Sequence, residues 1–204
     1  ISNKIIYNSY SGMIYHNKIG FSSKNTKVVF NGIDSSKFKY SKNLRKKLRN
    51  KYNFKNNSLI FMCVARVDPM KNYHNLMQAF KEMKKGDHKN IKLVLIGKGT
   101  EKLDTPEDCI ALGMRLDIEK YYNMADIIIL PSRFGEGFSN VLVEGMLTEL
   151  VPIATDIGDA KKIVGDVGYI ASNTNVSGLK KVLSKVVKKR NKIIKAEGIK
   201  AKRR

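Results

Sequence analysis

Two carboxylates in one short segment have the residue types and the spacing to bind a polar ligand. Glu136 and Glu144 lie eight positions apart in residues 131–146, which read Pro-Ser-Arg-Phe-Gly-Glu-Gly-Phe-Ser-Asn-Val-Leu-Val-Glu-Gly-Met. The apolar run before them predicts a buried strand at 127–130, and apolar residues between 141 and 146 predict a short helix. One carboxylate therefore falls in a glycine-flanked loop and the other on a helix.

The start of this predicted helix is suited to an anion. The first N–H groups of a helix have no partners within it and carry partial positive charge. Glycine allows a ligand to come close to the backbone, and the groups placed to use this are Gly137 and the amides of Phe138, Ser139 and Asn140. An anion site beside two carboxylates suits a ligand with both phosphates and hydroxyls, such as a sugar nucleotide.

Two cations follow another predicted strand. Arg66 comes just after the apolar run at 59–64, and Lys71 falls at the expected start of the next helix. A cation there opposes the helix dipole, which favours acids by about 0.3–1 kcal/mol. A bound diphosphate would account for both cations, although the spacing alone fits an ordinary surface arginine and lysine equally well.

The elements that must position these groups alternate along the chain. Apolar runs predict strands at 27–30, 59–64, 91–96, 108–112, 127–130, 151–155 and 168–171. Between and after them, patterns predict an exposed basic helix at 42–52, helices near 76–83, 118–124 and 159–164, and an amphipathic helix at 177–196. This alternation predicts an α/β fold with a parallel sheet, in which ligands bind beyond the carboxyl ends of the strands. The candidate groups all fall at such ends.

The ordered set of motifs resembles the GT-B glycosyltransferases, specifically the retaining family 4 group with its E-x7-E signature. Glu136 and Glu144 match that signature, and Arg66 with Lys71 is similar to the diphosphate clamp. Residues 31–34 (Asn-Gly-Ile-Asp) resemble the interdomain linker. The resemblance implies a Rossmann-like C-terminal domain that binds a nucleotide sugar, at residues 31–196. It also implies an acceptor-side remnant and linker strand at 1–30, and residues 197–204 are expected to be a disordered basic tail.

The resemblance also implies roles for single residues. Glu144 would accept hydrogen bonds from ribose hydroxyls, since a carboxylate can accept both donors of a vicinal diol. Glu136 would contact the transferred sugar, and Glu136, Arg66 and Lys71 would form the catalytic set. Gly97, with Met114 and Arg115, would border the base pocket, although a role in turns alone fits Gly97 nearly as well. No cofactor or metal is expected, because no Asp-x-Asp motif occurs and cations with a helix dipole neutralise the leaving diphosphate.

Three positions depart from the family pattern. Ala65 stands where a glycine usually precedes the arginine, and Glu149 occupies a turn position usually held by glycine. Asp159 replaces the second glycine of a Gly-Gly pair. The last two predict altered turn shape and charge near the sugar.

Composition narrows the possible partners and location. The 204 residues carry a formal charge of +21, and residues 177–204 hold 12 Lys or Arg against one Glu. Such a tail, with the basic helix, predicts attraction to an anionic membrane surface. No nucleic-acid motif appears, so nucleic acid is not expected as a partner.

The cysteines and the lengths of the apolar runs bear on location. Two cysteines without metal-type spacing predict buried, reduced thiols and a cytoplasmic protein. No apolar stretch approaches the ~18–20 residues that cross a bilayer.

These observations predict the donor-binding part of a retaining glycosyltransferase. It would move a sugar from a UDP- or GDP-sugar to a glycan or lipid-linked acceptor in surface polysaccharide synthesis. Because the first residue is Ile and the acceptor-side part is small, the chain is expected to be a fragment that is inactive alone. Two alternatives stay open, a nucleotide-binding module without transferase activity and a basic nucleic-acid-binding protein.

Overall fold

A parallel six-stranded sheet forms the centre of the molecule. The computed structural model describes residues 4–85, 90–189, 199, 201 and 202. The strands it describes are β1 (Ile5–Tyr7), β2 (Thr26–Val28), β3 (Leu59–Val64), β4 (Ile91–Ile96), β5 (Cys109–Ala111), β6 (Ile127–Leu130), β7 (Val151–Thr155) and β8 (Tyr169–Ala171). The order in the large sheet is β5-β4-β3-β6-β7-β8, with every neighbouring pair parallel. The predicted α/β class and parallel sheet are confirmed.

Helices cover both faces of this sheet. The described α-helices are α1 (Tyr10–Lys18), α2 (Lys42–Lys51), α3 (Tyr73–Lys84), α4 (Ile118–Tyr121), α5 (Asn140–Leu147), α6 (Ala160–Val164) and α7 (Val176–Lys188). Single 3-10 turns at Pro69–Lys71, Thr100–Lys102 and Tyr122–Met124 lie in the connections. Residues 190–196, the predicted end of the last helix, lie outside the described residues.

The central strand β3 is apolar at every position because its side chains are buried on both faces of the sheet. In β3, Phe61 and Cys63 pack in the cluster that includes residues of α3 and α7. Ile60 and Met62 point to the other face and pack in the cluster that includes residues of α2, α5 and α6. Alternate residues of a strand point to opposite faces, so a sheet covered on both sides needs continuous apolar runs.

The basic helix α2 corrects one prediction. Its charges were expected to be solvated, but Arg45 and Arg49 turn inward and both pair with Asp126, which directly precedes β6. The Arg49 side chain is only 3% exposed and also donates to the carbonyl oxygens of Met124 and Ser58. The inward-facing arginines attach α2 to the sheet, whereas its lysines at 42, 46 and 47 are exposed.

The two ends of the chain pack in different places. Residues 1–25 contain a strand and a short helix, and β1 pairs with β2 in a separate two-stranded parallel sheet beside α1. At the other end, Ala201 is buried in a cluster with Met146 and Val167, and Lys202 pairs with Glu149. The expectation of a disordered tail is wrong for these two residues, while 197, 198, 200, 203 and 204 lie outside the described residues.

Candidate functional site

The loop between β6 and α5 brings Glu136 onto Lys71. The Glu136 Oε1 atom accepts hydrogen bonds from Lys71 Nζ and from Ser132 Oγ, both at 2.5 Å. The side chains of Glu136 and Lys71 are only 8% and 15% exposed. Two residues that the sequence separates by sixty-five positions thus form one charged pair at the carboxyl edge of the sheet.

Lys71 does not begin the helix as predicted. It ends the 3-10 turn Pro69–Lys71, and Asn72 follows it with a left-handed backbone (φ 59°) before α3 starts. The Asn72 side chain donates to the carbonyl oxygens of Pro131 and Thr174, which fixes this reversal. The lysine therefore projects from a rigid turn toward the Glu136 loop.

Close backbone packing holds the Glu136 loop in place. The N–H of Arg133 donates to the Met70 carbonyl at 2.8 Å, which joins this loop to the one that carries Lys71. On its other side, Gly158 has a φ of +64°, and a Cβ there would lie 2.4 Å from the Glu136 carbonyl oxygen. Only glycine fits so close to a backbone atom. Gly158 is thus required for the position of Glu136, whatever ligand is bound.

Arg66 stands apart from this pair. Its side chain is 64% exposed and lies 3.4 Å from the carboxylate of Asp68. Such a contact between exposed groups contributes little to stability. The guanidinium is held loosely, so a ligand could reorient it at little cost.

Glu144 lies on α5 beside Tyr122, a residue that the sequence analysis missed. The Tyr122 hydroxyl donates a 2.7 Å hydrogen bond to Glu144 Oε2. Burial raises the pKa of the Glu144 carboxyl, and the hydrogen bond from Tyr122 partly opposes that rise. Burial and the adjacent carboxylate raise the pKa of Tyr122 well above its usual value, so its hydroxyl stays protonated and remains a donor. No motif marks Tyr122, because the sequence shows only an aromatic residue in an amphipathic segment.

The glycines at the predicted base pocket have a structural explanation. Gly97 donates its N–H to the Gly113 carbonyl at 2.9 Å, and Thr100 bridges the same two residues through its hydroxyl. A Cβ at Gly97 would lie 1.8 Å from the Ala65 carbonyl oxygen. This packing requires glycine at position 97 even without a ligand. The requirement is compatible both with a role in the turn and with a place beside the base.

Met114 and Arg115 lie on the same connection after β5. Met114 is exposed, and Arg115 donates to the Met114 carbonyl oxygen while its guanidinium lies 5.7 Å from the centre of the Tyr121 ring. Their predicted contact with a base stays a prediction.

The residues between the two glutamates face the start of the chain. Gly137 lies against Ser9, the Phe138 ring stacks on Phe30 at 5.1 Å, and the Asn140 side chain accepts a 2.8 Å hydrogen bond from Asn31. These last two contacts take up the side chains of Phe138 and Asn140, which sequence reasoning did not foresee. Ser139 is buried at the start of α5, and its side chain makes no capping hydrogen bond to the first turn of that helix.

Comparison with known proteins identifies the family. The model of the family described as "Glycosyl transferases group 1" matches residues 44–202. The chain belongs to this family. That match covers β3 to β8 and therefore includes both glutamates, both cations and the sheet that positions them.

Two relatives each share 30% identity with the chain. One is the lipopolysaccharide 1,2-N-acetylglucosaminetransferase of Salmonella typhimurium, aligned over 150 residues that cover 64% of this chain and 39% of the relative. The other is the N-acetylgalactosamine-N,N'-diacetylbacillosaminyl-diphospho-undecaprenol 4-alpha-N-acetylgalactosaminyltransferase of Campylobacter jejuni, aligned over 115 residues that cover 52% of this chain and 30% of the relative. The chain thus spans less than half of the length of each relative.

Solved structures confirm the GT-B type of fold. The Anabaena protein Alr3699/HepE in complex with UDP and glucose superposes with a TM-score of 0.86 at 21% identity, over 100% of this chain and 58% of that one. The lipopolysaccharide glycosyltransferase WaaG gives a TM-score of 0.82 at 17% identity, over 98% of this chain and 57% of that one. The predicted GT-B architecture, a parallel sheet flanked by helices, is confirmed.

Within the described ranges, no three His, Cys, Asp or Glu side chains are grouped to hold a metal ion. No described helix is long and apolar enough to cross a membrane.

Proposed function

We propose that this chain is the donor-binding part of a retaining family 4 glycosyltransferase. It would take a UDP- or GDP-sugar and pass the sugar to a glycan or lipid-linked acceptor in surface polysaccharide synthesis. The observation that carries this proposal is the placement of two differently paired glutamates, Glu136 with Lys71 and Glu144 with Tyr122, along one loop and helix. Support also comes from the UDP and glucose in the Anabaena structure and from relatives named for lipopolysaccharide and diphospho-undecaprenol acceptors.

The pairing of Lys71 suggests how the site would respond to a donor. Lys71 is neutralised by Glu136 at 2.5 Å. A diphosphate carries more negative charge and offers more acceptors, so it would draw Lys71 away and release the Glu136 carboxylate toward the sugar hydroxyls. The exposed Arg66 would add a second cation. As the bond between sugar and diphosphate breaks, Lys71, Arg66 and the first N–H groups of α5 would stabilise the leaving charge.

Glu144 would hold the other end of the donor. Its Oε2 atom is fixed by Tyr122, which leaves Oε1 directed by that bond and available to ribose hydroxyls. A carboxylate whose pKa is raised by burial gains from such donors, since they replace the water lost on burial. Gly97, Met114 and Arg115 would border the base.

The acceptor would bind to a part of the enzyme that these residues do not include. Exposed apolar side chains concentrate in the first thirty residues, with Ile6, Tyr15 and Ile19 each more than half exposed. A surface of this kind indicates that further protein covers it. We therefore expect the chain to bind nucleotide but to transfer little sugar alone. Turnover by this chain at the rate of a longer version with a complete acceptor side would contradict that expectation.

We further propose that the chain lies on the cytoplasmic side of an anionic membrane, and the surface of α2 supports this proposal. Once Arg45 and Arg49 are bound to Asp126, the helix still presents exposed Lys42, Lys46 and Lys47. Lysines near an anionic bilayer each contribute about 1 kcal/mol of attraction. Co-sedimentation with phosphatidylserine vesicles at low salt should fall when Lys46 and Lys47 are both changed to Gln, whereas Lys180→Gln on the opposite face should change it little. Equal sedimentation of both variants would remove α2 from the proposal.

Calorimetric titration with UDP and with GDP tests the main proposal. One nucleotide should bind, and Arg66→Ala and Glu144→Ala should each weaken it by about tenfold, equivalent to about 1.4 kcal/mol. Lys180→Ala is the matched control, because its ammonium pairs with Glu82 on α3. A folded chain that binds neither nucleotide would contradict the proposed site.

A further inference from the structure

One buried carboxylate joins the first residues of the chain to the donor side. Asp159, which directly precedes α6, is only 3% exposed. Its two oxygens accept hydrogen bonds from the N–H groups of Tyr10 at 2.7 Å and Ser11 at 2.9 Å. These amides belong to the first turn of α1, where free N–H groups and the helix dipole favour an anion. Asp159 thus acts on α1 as a capping residue supplied from 148 positions away.

The backbone of the same residue reaches the Glu136 loop. The Asp159 N–H donates to the Gly137 carbonyl at 3.2 Å. Its neighbour Gly158 lies directly against the backbone of Glu136, because its φ is left-handed at +64° and only 2.4 Å would separate an added Cβ from the Glu136 carbonyl oxygen. Residues 158 and 159 therefore bear on the Glu136 loop and on α1 at the same time.

The other side of the loop is closed by the residue that begins α1. Ser9 is 1% exposed and is the N-cap of α1, where its hydroxyl accepts the Gly12 N–H at 3.1 Å. A Cβ at Gly137 would lie 3.0 Å from that hydroxyl oxygen. The Glu136–Gly137 backbone is held between Ser9 on one side and the 158–159 turn on the other. α1 and the turn that binds α1 therefore enclose this backbone on both sides.

The remaining contacts of the first residues fall on the same few positions. Phe30 stacks on Phe138, Asn31 donates to Asn140, and Lys162 of α6 lies 4.1 Å from the centre of the Tyr10 ring. These contacts fall on 137–140 and 158–162, on both sides of Glu136, and within the described part of the chain none of them involves Lys71 or Tyr122. The acceptor-side unit is therefore attached to the sugar end of the proposed site and not to its nucleotide end.

We propose that Asp159 is a positioning residue that couples the acceptor-side unit to Glu136. With Asp159 bound to α1, the loop holds Glu136 where it can meet the donor sugar; without that bond the loop relaxes, and the nucleotide end keeps its geometry. This inference rests on the proposed function for the meaning of Glu136, but the mechanical coupling does not. It also explains the family departure at this position, since a glycine there could not reach the amides of Tyr10 and Ser11.

The test compares Asp159→Asn with Asp156→Asn. Asn has nearly the same shape but lacks the charge and presents an amide group to one of the two N–H donors, so it breaks the cap with little change in volume. Asp156 lies on the same connection, is exposed and pairs only at 3.4 Å with Lys161. Amide exchange at Tyr10 and Ser11, and the carboxyl carbon resonance of Glu136, would be followed by NMR in the whole chain. We expect about tenfold faster exchange and a shifted Glu136 resonance in Asp159→Asn, with neither change in Asp156→Asn.

Affinities separate coupling from a purely structural role. UDP and UDP-glucose would be titrated into both variants, or GDP and GDP-glucose if the chain binds GDP. In Asp159→Asn the gain in affinity that the sugar provides should fall about fivefold, with affinity for the bare nucleotide unchanged within about twofold. Faster exchange in α1 without a shift of the Glu136 resonance would overturn the coupling. A wild-type chain that binds no nucleotide would refute the proposed function, while the NMR comparison would still decide the coupling.

Discussion

Two carboxylates at opposite ends of β6 are buried to a similar extent but are bound by different kinds of partner. Asp126 directly precedes the strand and is 17% exposed, and Glu136 follows it and is 8% exposed. Asp126 binds the guanidinium groups of Arg45 and Arg49 and also accepts the Ile60 N–H at 2.8 Å. Both of its oxygens are used. The hydrogen bonds described for Glu136 all fall on Oε1, from one ammonium and one hydroxyl.

The comparison shows that burial alone does not distinguish a carboxylate with a structural role, such as Asp126, from one that we propose binds a ligand, such as Glu136. Arg49 binds Asp126 through a planar guanidinium that also donates to the carbonyl oxygens of Met124, Asn56 and Ser58. These bonds fix the arginine in one orientation. Lys71 is a flexible point charge that can transfer to another anion. The amino edge of the sheet is therefore a fixed brace for α2, whereas the carboxyl edge holds the pair that we propose a donor exchanges.

Breaking the brace should give the largest effect on stability. Asp126→Asn leaves two guanidinium groups without a counter-charge, one of them almost fully buried. Removal of one partner from a buried ion pair costs about 3–5 kcal/mol, so we expect the free energy of unfolding in urea to fall by about that amount. Nucleotide affinity of the folded protein should not change.

An exposed pair provides the control for that measurement. Asp117 and Lys120 lie 3.3 Å apart on the surface, with side chains about half exposed. Asp117→Asn should lower stability by less than about 1 kcal/mol. If Asp126→Asn cost no more than Asp117→Asn, the amino edge would not be a brace and the contrast with Glu136 would fail.

Breaking the exchangeable pair should change binding more than stability. Glu136→Gln keeps acceptors for Lys71 and Ser132 but removes the charge, so Lys71 is released to meet a diphosphate. We expect the chain to bind its nucleoside diphosphate up to about tenfold more tightly and to lose the additional affinity that the sugar provides. Calorimetry with nucleotide and nucleotide sugar measures both. Weaker binding of the bare nucleotide would show that Lys71 and Glu136 act as one fixed unit.

Much of the fold could be predicted because each element has a local signal. The run at 59–64 is apolar at every position, and only a strand covered on both faces needs such a run. Glu149 has a left-handed backbone with φ of 66°, the conformation that glycine at this position would favour. It lies two residues before β7, beside Asp126 at the amino edge, so the prediction that it changes turn shape and charge near the sugar is wrong. The prediction for α2 was wrong because its ten residues are mostly basic and include no acid, while the partner, Asp126, lies about eighty positions away.

The site was predictable in its charged residues and not in the groups that orient them. Glu136, Glu144, Arg66 and Lys71 stand in a recognisable order along the chain. Tyr122 and Ser132 lie in no motif, and only the fold brings their hydroxyls to the two glutamates. The bond from Asp159 to α1 was equally hidden, since a departure from a glycine pattern indicates a changed turn but not its partner.

The smallest effect concerns pH and distinguishes the two glutamates. Burial raises the pKa of Glu144, and the Tyr122 hydroxyl lowers it in part. The folded chain therefore keeps the Glu144 proton to higher pH than the unfolded chain does. This group's contribution to stability is fully present in acid and declines as the pH rises through the raised pKa.

Nucleotide binding has the opposite dependence on pH. A protonated carboxyl loses acceptors for the ribose, so affinity should fall as the pH drops through the same pKa. Tyr122→Phe removes the lowering contact, so the acid limb of the affinity profile should move to higher pH, and the ratio to wild type cancels the titration of the nucleotide itself. An unchanged acid limb would show that Glu144 does not contact the nucleotide, and would leave Glu136 as the one carboxylate of this edge that responds to the donor.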